Sequence, residues 1–244
     1  MNGAGAVFRR EFAAWFATPP GYVFLAVFAG SAGATTFLIG GFFPRGQADL
    51  QVFFGFLPWL LVVFVPAVAM RLWAEERRSG TVELLLSRPV GPLAAVTGKL
   101  FAAWAFVALG LAGTLPLWLT VAWLGDPDPG AIAAGYAGAL LLAGAYLALG
   151  SAISALTDSQ VVAFVVAVTA CFLSTAAGSP LAVGLAGEGT PAVVLEALAG
   201  FSFLARYDAL ARGLVEARDL VFFLSAIALA VFANTLAVAR LRAA

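Results

Sequence analysis

An all-α integral membrane protein is the fold class that this sequence predicts, and three observations carry it. The chain of 244 residues is 63% hydrophobic and 11% charged, with a mean hydropathy of +1.01. Soluble domains are nearer half apolar and a quarter charged. Uncharged runs long enough to cross a bilayer recur along its length. The charges collect between those runs, above all in residues 71–99, which hold eight of the 26 charged side chains: Arg71, Glu75, Glu76, Arg77, Arg78, Glu83, Arg88 and Lys99.

Composition also excludes several functions. The formal net charge is zero, so nothing points to nucleic acid. With no histidine, no Ser–His or Cys–His nucleophile pair can be assembled, and no GxSxG is present. A single cysteine, Cys171, sits in an apolar run, which excludes a disulfide within the chain and argues against thiolate–imidazole metal sites. No pair of aspartates lies at membrane depth, so an intramembrane aspartyl protease is disfavoured.

Taken in order, residues 5–18 place Phe8, Phe12, Trp15 and Phe16 at i, i+4, i+7 and i+8, beside Arg9, Arg10 and Glu11. That is the pattern of an amphipathic helix lying in the interface plane and ended by Pro19-Pro20; the alternative is the start of the first span. Arg9-Arg10-Glu11-Phe12 also looks like part of a twin-arginine export signal, a reading set aside because five more spans follow the first. Six spans are expected, at about 21–43, 52–70, 100–124, 131–156, 161–177 and 220–239. The first is an uncharged run of 23 residues, about 34 Å of helix. Pro58 and Pro66 are expected kinks in the second. The third ends at the polar turn 125–130. The fourth carries small residues at four-residue spacing, Gly135/Ala139/Ala143 and Gly144/Ala148, a face that lets helices approach closely.

Between spans two and three, each charge at the centre of a membrane helix would cost roughly 2.5–3.5 kcal/mol, so residues 71–78 must stand in water or in a protein contact. Gly80 breaks the preceding segment, Thr81 can cap a following helix, and Pro89 stops it. Val82, Leu85 and Leu86 at i, i+3 and i+4 give that helix one apolar face. Such a helix is built to dock a partner; the plainer alternative is a solvated loop. Residues 178–220 hold glycines and prolines followed by two i,i+4 pairs, Asp208 with Arg212 and Arg212 with Glu216, and short outer helices are expected there. With both termini cytoplasmic, nine lysines and arginines fall on that side and four on the other, which places 71–99 inside and 178–220 outside.

No expected span has Asp, Glu, Lys or Arg in its middle, and Asn234 is the deepest strong polar group. Ion-coupled transporters place ionisable groups at depth. Energy for any transport would therefore enter from outside the bilayer, through a cytoplasmic ATPase docked on residues 82–86. Thr97-Gly98-Lys99-Leu100 fails as a phosphate loop, lacking the glycine five residues before Gly98 and the Ser/Thr after the lysine.

The run AEERRSGTVELLLSRPV, with Gly98-Lys99 entering the next span, resembles the hallmark segment of type-2 ABC transporter permeases. FSFLARYDALARGLVEARDLVFFLS, residues 201–225, resembles the gliding-motility-associated ABC permease branch. This resemblance implies a coupling helix that contacts an ATP-binding subunit. Glu75, Glu76, Arg77 and Arg78 would be its charged approach, and Gly80, Thr81, Val82, Glu83, Leu84, Leu85 and Leu86 the helix and its start. It implies a bacterial plasma (inner) membrane location, no cofactor in this chain, and ATP and Mg in the partner ATPase subunit. It further implies a second permease copy or a related membrane subunit with an extracytoplasmic domain. The function expected is a non-catalytic permease subunit of an ATP-driven transporter; the alternative is a membrane scaffold transmitting ATPase motion to an outer partner without a substrate path.

Overall fold

The computed structural model describes residues 3–81, 91–177 and 200–243, and the described residues are helical with no strand among them. Helix α1 is Gly3–Phe16, α2 Pro19–Ala34, α3 Phe42–Arg45, α4 Gln51–Ala69, α5 Ala74–Ser79 and α6 Pro92–Ala112. After these come α7 Leu115–Leu124, α8 Pro129–Ser154, α9 Gln160–Ala176, α10 Phe203–Ala211 and α11 Ala217–Ala243. Five stretches are long and apolar enough to cross a membrane: Pro19–Ile39, Gln51–Ser79, Pro92–Leu124, Pro129–Ser154 and Ala217–Leu241. Helix α9 is apolar but shorter, at 17 residues. The chain is a multi-pass membrane protein. Residues 82–90, with the apolar face expected of Val82, Leu85 and Leu86, and residues 178–199 lie outside the described residues.

Proline and glycine chemistry sets the boundaries. Thr18, pushed into extended backbone by the proline that follows it, ends α1, and Pro19-Pro20 start α2. Where the sequence predicts one helix over 21–43, α2 gives way to a π-helical turn, Thr35–Ile39, and stops. The Thr35 and Thr36 hydroxyls both bond back to the Ala32 carbonyl, at 3.1 and 2.7 Å, competing with the regular ladder. Gly41 then takes a left-handed φ of 60°, so Phe42–Arg45 forms a separate turn of helix.

The third span also departs from expectation. It begins at Pro92 rather than near residue 100, and it is split into α6 and α7 at Gly113-Thr114. Pro116 supplies no N–H to the ladder across the break. Thr114 and Tyr136 repair it: the Thr114 hydroxyl donates to the Leu111 carbonyl at 2.6 Å, and the Tyr136 hydroxyl donates to the Thr114 carbonyl at 3.2 Å. A non-helical joint at membrane depth persists only when its carbonyls are satisfied in this way.

Helix α8 is the centre of the bundle, packed on α4, α6, α9, α10 and α11. Its small residues make those contacts possible. A Cβ at Gly144 would stand 2.6 Å from the Trp104 ring of α6, and one at Gly150 would stand 2.6 Å from Cβ of Ala69 on α4. Trp104 fills the first recess and donates its indole N–H to the Leu140 carbonyl at 2.8 Å. At the end of the bundle that holds Asp219, α10 stops at Ala211 and the chain turns at Gly213 with φ 83°. Arg212 and Glu216 are therefore not neighbours on one helical face, which corrects the i,i+4 expectation. The ion pair that forms there is Arg206 with Asp219 at 3.2 Å, tying α10 to the start of α11.

Packing at α8 gives a direct expectation. Gly150→Leu should destabilise the fold by about 1–3 kcal/mol through overpacking against Ala69. Gly30→Leu on α2, where an added Cβ meets nothing within 4 Å, should shift it by less than about 0.5 kcal/mol. Thermal unfolding midpoints in detergent compare the two, and equal shifts would refute the packing account.

Candidate functional site

Six of the sequence-predicted site residues lie on or just after the short helix α5, and its attachment to the bundle begins with the turn before it. Trp73 is fully buried. Its backbone N–H and that of Ala74 donate to the Ser154 hydroxyl at 3.2 and 3.0 Å. That hydroxyl donates in turn to the Met70 carbonyl at 2.8 Å. The opening N–H groups of a helix have no partner of their own; here a serine at the end of α8 caps α5. The Trp73 indole N–H donates to Ser151 at 3.2 Å, and Ser151 also accepts from the Asn234 amide at 2.7 Å. Arg77 closes the attachment, donating to the Ala155 carbonyl at 2.7 Å.

Glu76, one position earlier, faces a different way. Its carboxylate lies 2.9 Å from the Lys99 ammonium and 3.2 Å from the Arg10 guanidinium. Lys99 also reaches Glu11 at 3.2 Å, and Arg10 pairs with the same Glu11. Two acids and two bases from α1, α5 and α6 thus form one neutral cluster. Lys99 is 1% exposed, with its ammonium 5.1 Å from the centre of the Trp73 ring. Burial works against ionisation of Glu11, but the Lys99 charge and the bond from Arg10 outweigh it and hold its carboxyl below the usual carboxylate range. Gly98 makes the approach of α1 possible: a Cβ there would stand 2.7 Å from the Ala4 carbonyl and 2.8 Å from Val7.

The structure therefore divides the predicted site residues. Glu76 and Arg77 turn inward, onto α1 and α6 and onto the end of α8 respectively. Glu75 lies outside and pairs with Arg71 at 3.1 Å, while Arg78 is exposed. Gly80 ends α5 with φ 70°, as its place in the sequence suggests, and Thr81 bonds back to Ser79 at 2.9 Å. Val82, Glu83, Leu84, Leu85 and Leu86 follow immediately and lie outside the described residues. A cleft of about 280 Å³ opens beside Thr81, lined by Glu11, Trp15, Arg71, Glu75, Glu76 and Lys99 among others. Sequence reasoning missed Glu11, Lys99, Ser151 and Ser154 as members of this site. The one available signal was that Lys99 is a lone charge at the start of an apolar run and that Glu11 stands with Arg9 and Arg10 in an otherwise apolar segment.

Within the cluster Arg10 is exposed, whereas Lys99 and Glu76 form a pair at low exposure. Breaking a buried pair by removing one partner costs about 3–5 kcal/mol, because the other charge is left uncompensated. Glu76→Gln and Lys99→Met should each lower the unfolding midpoint, and the double variant should lose clearly less than the two losses added, by about 0.5–3 kcal/mol. A double-mutant cycle in thermal unfolding measures this, and simple additivity would show that the two side chains do not act together.

Among the described residues no group of acids, cysteines or histidines is suited to a metal ion. The arrangement ties α5 to α1, α6 and α8. No curated protein matches the chain. The family described as ABC-2 family transporter protein matches residues 46–233, which include α5, α6, α8 and the segment between α5 and α6. On that match, which covers well over half of its length, the chain belongs to the ABC-2 transporter family.

Proposed function

We propose that the chain is the membrane-spanning permease subunit of an ATP-driven ABC transporter. It couples hydrolysis by a separate cytoplasmic ATPase subunit, which carries the ATP and Mg, to export or movement of a substrate across the bacterial inner membrane. The observation that carries this reading is the joint at α5. The segment that would meet the ATPase, residues 82–86, follows directly on a helix bonded to α8 through Ser154 and to α1 and α6 through Glu76. A push on that segment would pass through Gly80 and Thr81 to a helix bonded to three others. Glu75 and Arg78, turned outward, are the charges left for the rim of the contact.

In this reading α1 lies in the plane of the inner leaflet. Helix α9, about 26 Å long at 17 residues, is the sixth crossing alongside the five longer stretches. Both termini are cytoplasmic, and residues 178–220 face outward. The core is completed by a second permease copy or by a related subunit with an extracytoplasmic domain, in the manner of the gliding-motility branch that residues 201–225 resemble. The same joint would also serve a scaffold that passes motion to an outer partner. Substrate-stimulated ATP hydrolysis in the assembled complex separates transport from that role.

Two outcomes are expected. Buried apolar anchors dominate interfaces while rim charges contribute little. Leu85→Ala or Leu86→Ala should therefore weaken capture of the ATPase by about thirtyfold, and Arg78→Ala far less. Thr81→Ala should weaken it mildly, through loss of a cap worth about 1 kcal/mol. Pull-down of the ATPase decides, and leucine variants that retain it as fully as the unaltered chain would reduce the segment to a linker. For topology, in a Cys171→Ala background, Asp126→Cys should react with impermeant reagent from the outer face and Ser79→Cys should not. The reverse pattern would invert the orientation.

A further inference from the structure

Helix α11 meets the bundle along one stripe, Phe223, Ile227, Val231, Asn234 and Val238, at three- and four-residue spacing. Phe223 and Val238 are fully buried, and a Cβ at Gly144 of α8 would stand 3.2 Å from Ile227. Asn234 is the one polar member, and it is 1% exposed. Its amide makes one hydrogen bond, from Nδ2 to the Ser151 hydroxyl of α8 at 2.7 Å. Its Oδ1 is buried with no partner among the described residues.

A buried acceptor left unpaired keeps the whole cost of its desolvation. An aliphatic side chain at this position would escape that cost and pack on α8 as the rest of the stripe does. The amide is therefore not what holds α11 to the bundle. Apolar packing does that, and a single hydrogen bond between membrane helices adds little to their association. What the bond adds is direction, because it ends on Ser151.

A hydroxyl oxygen has two lone pairs. That of Ser151 accepts from two donors, the Asn234 amide and the Trp73 indole N–H at 3.2 Å. By occupying one lone pair, Asn234 restricts how the hydroxyl presents the other to the indole. Trp73 is the residue on which the attachments of α5 converge. Its backbone N–H donates to Ser154, its ring face lies 5.1 Å from the Lys99 ammonium, and its ring edge is held by Ser151.

We propose that Asn234 is a positioning residue of the coupling joint. Through Ser151 it fixes the indole of Trp73, and it thereby makes the last span follow α5 directly as well as through packing on α8. The proposal rests on the reading of α5 as the joint that receives the ATPase. Movement of α5 then reaches α11 along one side-chain relay, from Trp73 to Ser151 to Asn234.

Two measurements on the complex assembled with its ATPase in nanodiscs test this. In the first, 5-fluorotryptophan is incorporated and the Trp73 fluorine signal is assigned by comparison with Trp73→Phe. Asn234→Val, which puts an apolar side chain of similar size in the stripe, should shift and broaden that signal. Thr235→Val, which removes a hydroxyl bonded to the Val231 carbonyl of its own helix, should leave it in place. Ser151→Ala should also shift it, and adding Asn234→Val to Ser151→Ala should change nothing further, since Asn234 acts through Ser151. In the second, spin labels at positions 79 and 232, both exposed, in a Cys171→Ala background follow α5 against α11. Their distance should stay narrow and constant on addition of ATP in the unaltered chain, and should broaden and move with ATP in Asn234→Val. The proposal is overturned if Asn234→Val leaves the Trp73 signal and the 79–232 distance unchanged, if Thr235→Val moves the signal equally, or if the two variants add. It is also overturned if Asn234→Val prevents assembly of the complex, because the amide would then be holding the bundle together. Labels at 79 and 123 separate this from failure of the reading beneath it. A 79–123 distance that changes with ATP while Asn234→Val is silent removes only the role of Asn234, whereas one indifferent to ATP in the unaltered complex removes both.

Discussion

Everything at this end of the molecule depends on one buried ammonium. Lys99 sits at 1% exposure within a helix that goes on to cross the membrane. A charge so placed must be paired or the helix must move out of the bilayer. Glu11 and Glu76 satisfy it, Arg10 balances them, and in doing so three segments far apart in the chain are held together. The position of α1, the direction of α5 and the depth of α6 all follow from where Lys99 finds its carboxylates.

The second constraint is that every backbone group near the membrane must be satisfied. The chain meets it at its breaks by borrowing hydroxyls: Ser154 caps α5, Tyr136 and Thr114 bridge the gap between α6 and α7, and Thr35 and Thr36 accompany the π turn that ends α2. Two of these three breaks are closed by groups of the central helix α8, Ser154 and Tyr136. The bundle is closely packed in its middle, where Gly144 and Gly150 admit close contacts, and its breaks carry their own hydrogen bonds.

Hydropathy and proline placement made most of the fold legible in the sequence. The second span is expected at 52–70 and found at Gln51–Ala69, because an uncharged run flanked by polar residues has few other options. Gly80, too, announced the end of α5. What local pattern could not carry were contacts across the chain. Lys99 reads as a boundary charge until Glu11, 88 positions away, is seen beside it. Ser154 looks like an ordinary serine at a helix end, yet it caps a helix some 80 residues earlier. The pairing of Arg212 with Glu216 failed for a related reason: periodicity assumes a continuous helix, and Gly213 interrupts it. Among the four residues Glu75 to Arg78, composition suggested one charged approach, whereas tertiary contacts assign two inward and two outward.

In the proposed function α5, α1 and α6 move as one body when the ATPase acts on the adjoining segment. Spin labels in pairs at positions 13, 79 and 93, in a Cys171→Ala background, measure it by double electron–electron resonance in the assembled complex with and without ATP. The three distances within the joint should stay fixed while the distance from each label to position 123 changes, and Lys99→Met should broaden the distances within the joint. A shift of position 79 relative to 13 and 93 on ATP binding in the unaltered joint would contradict it.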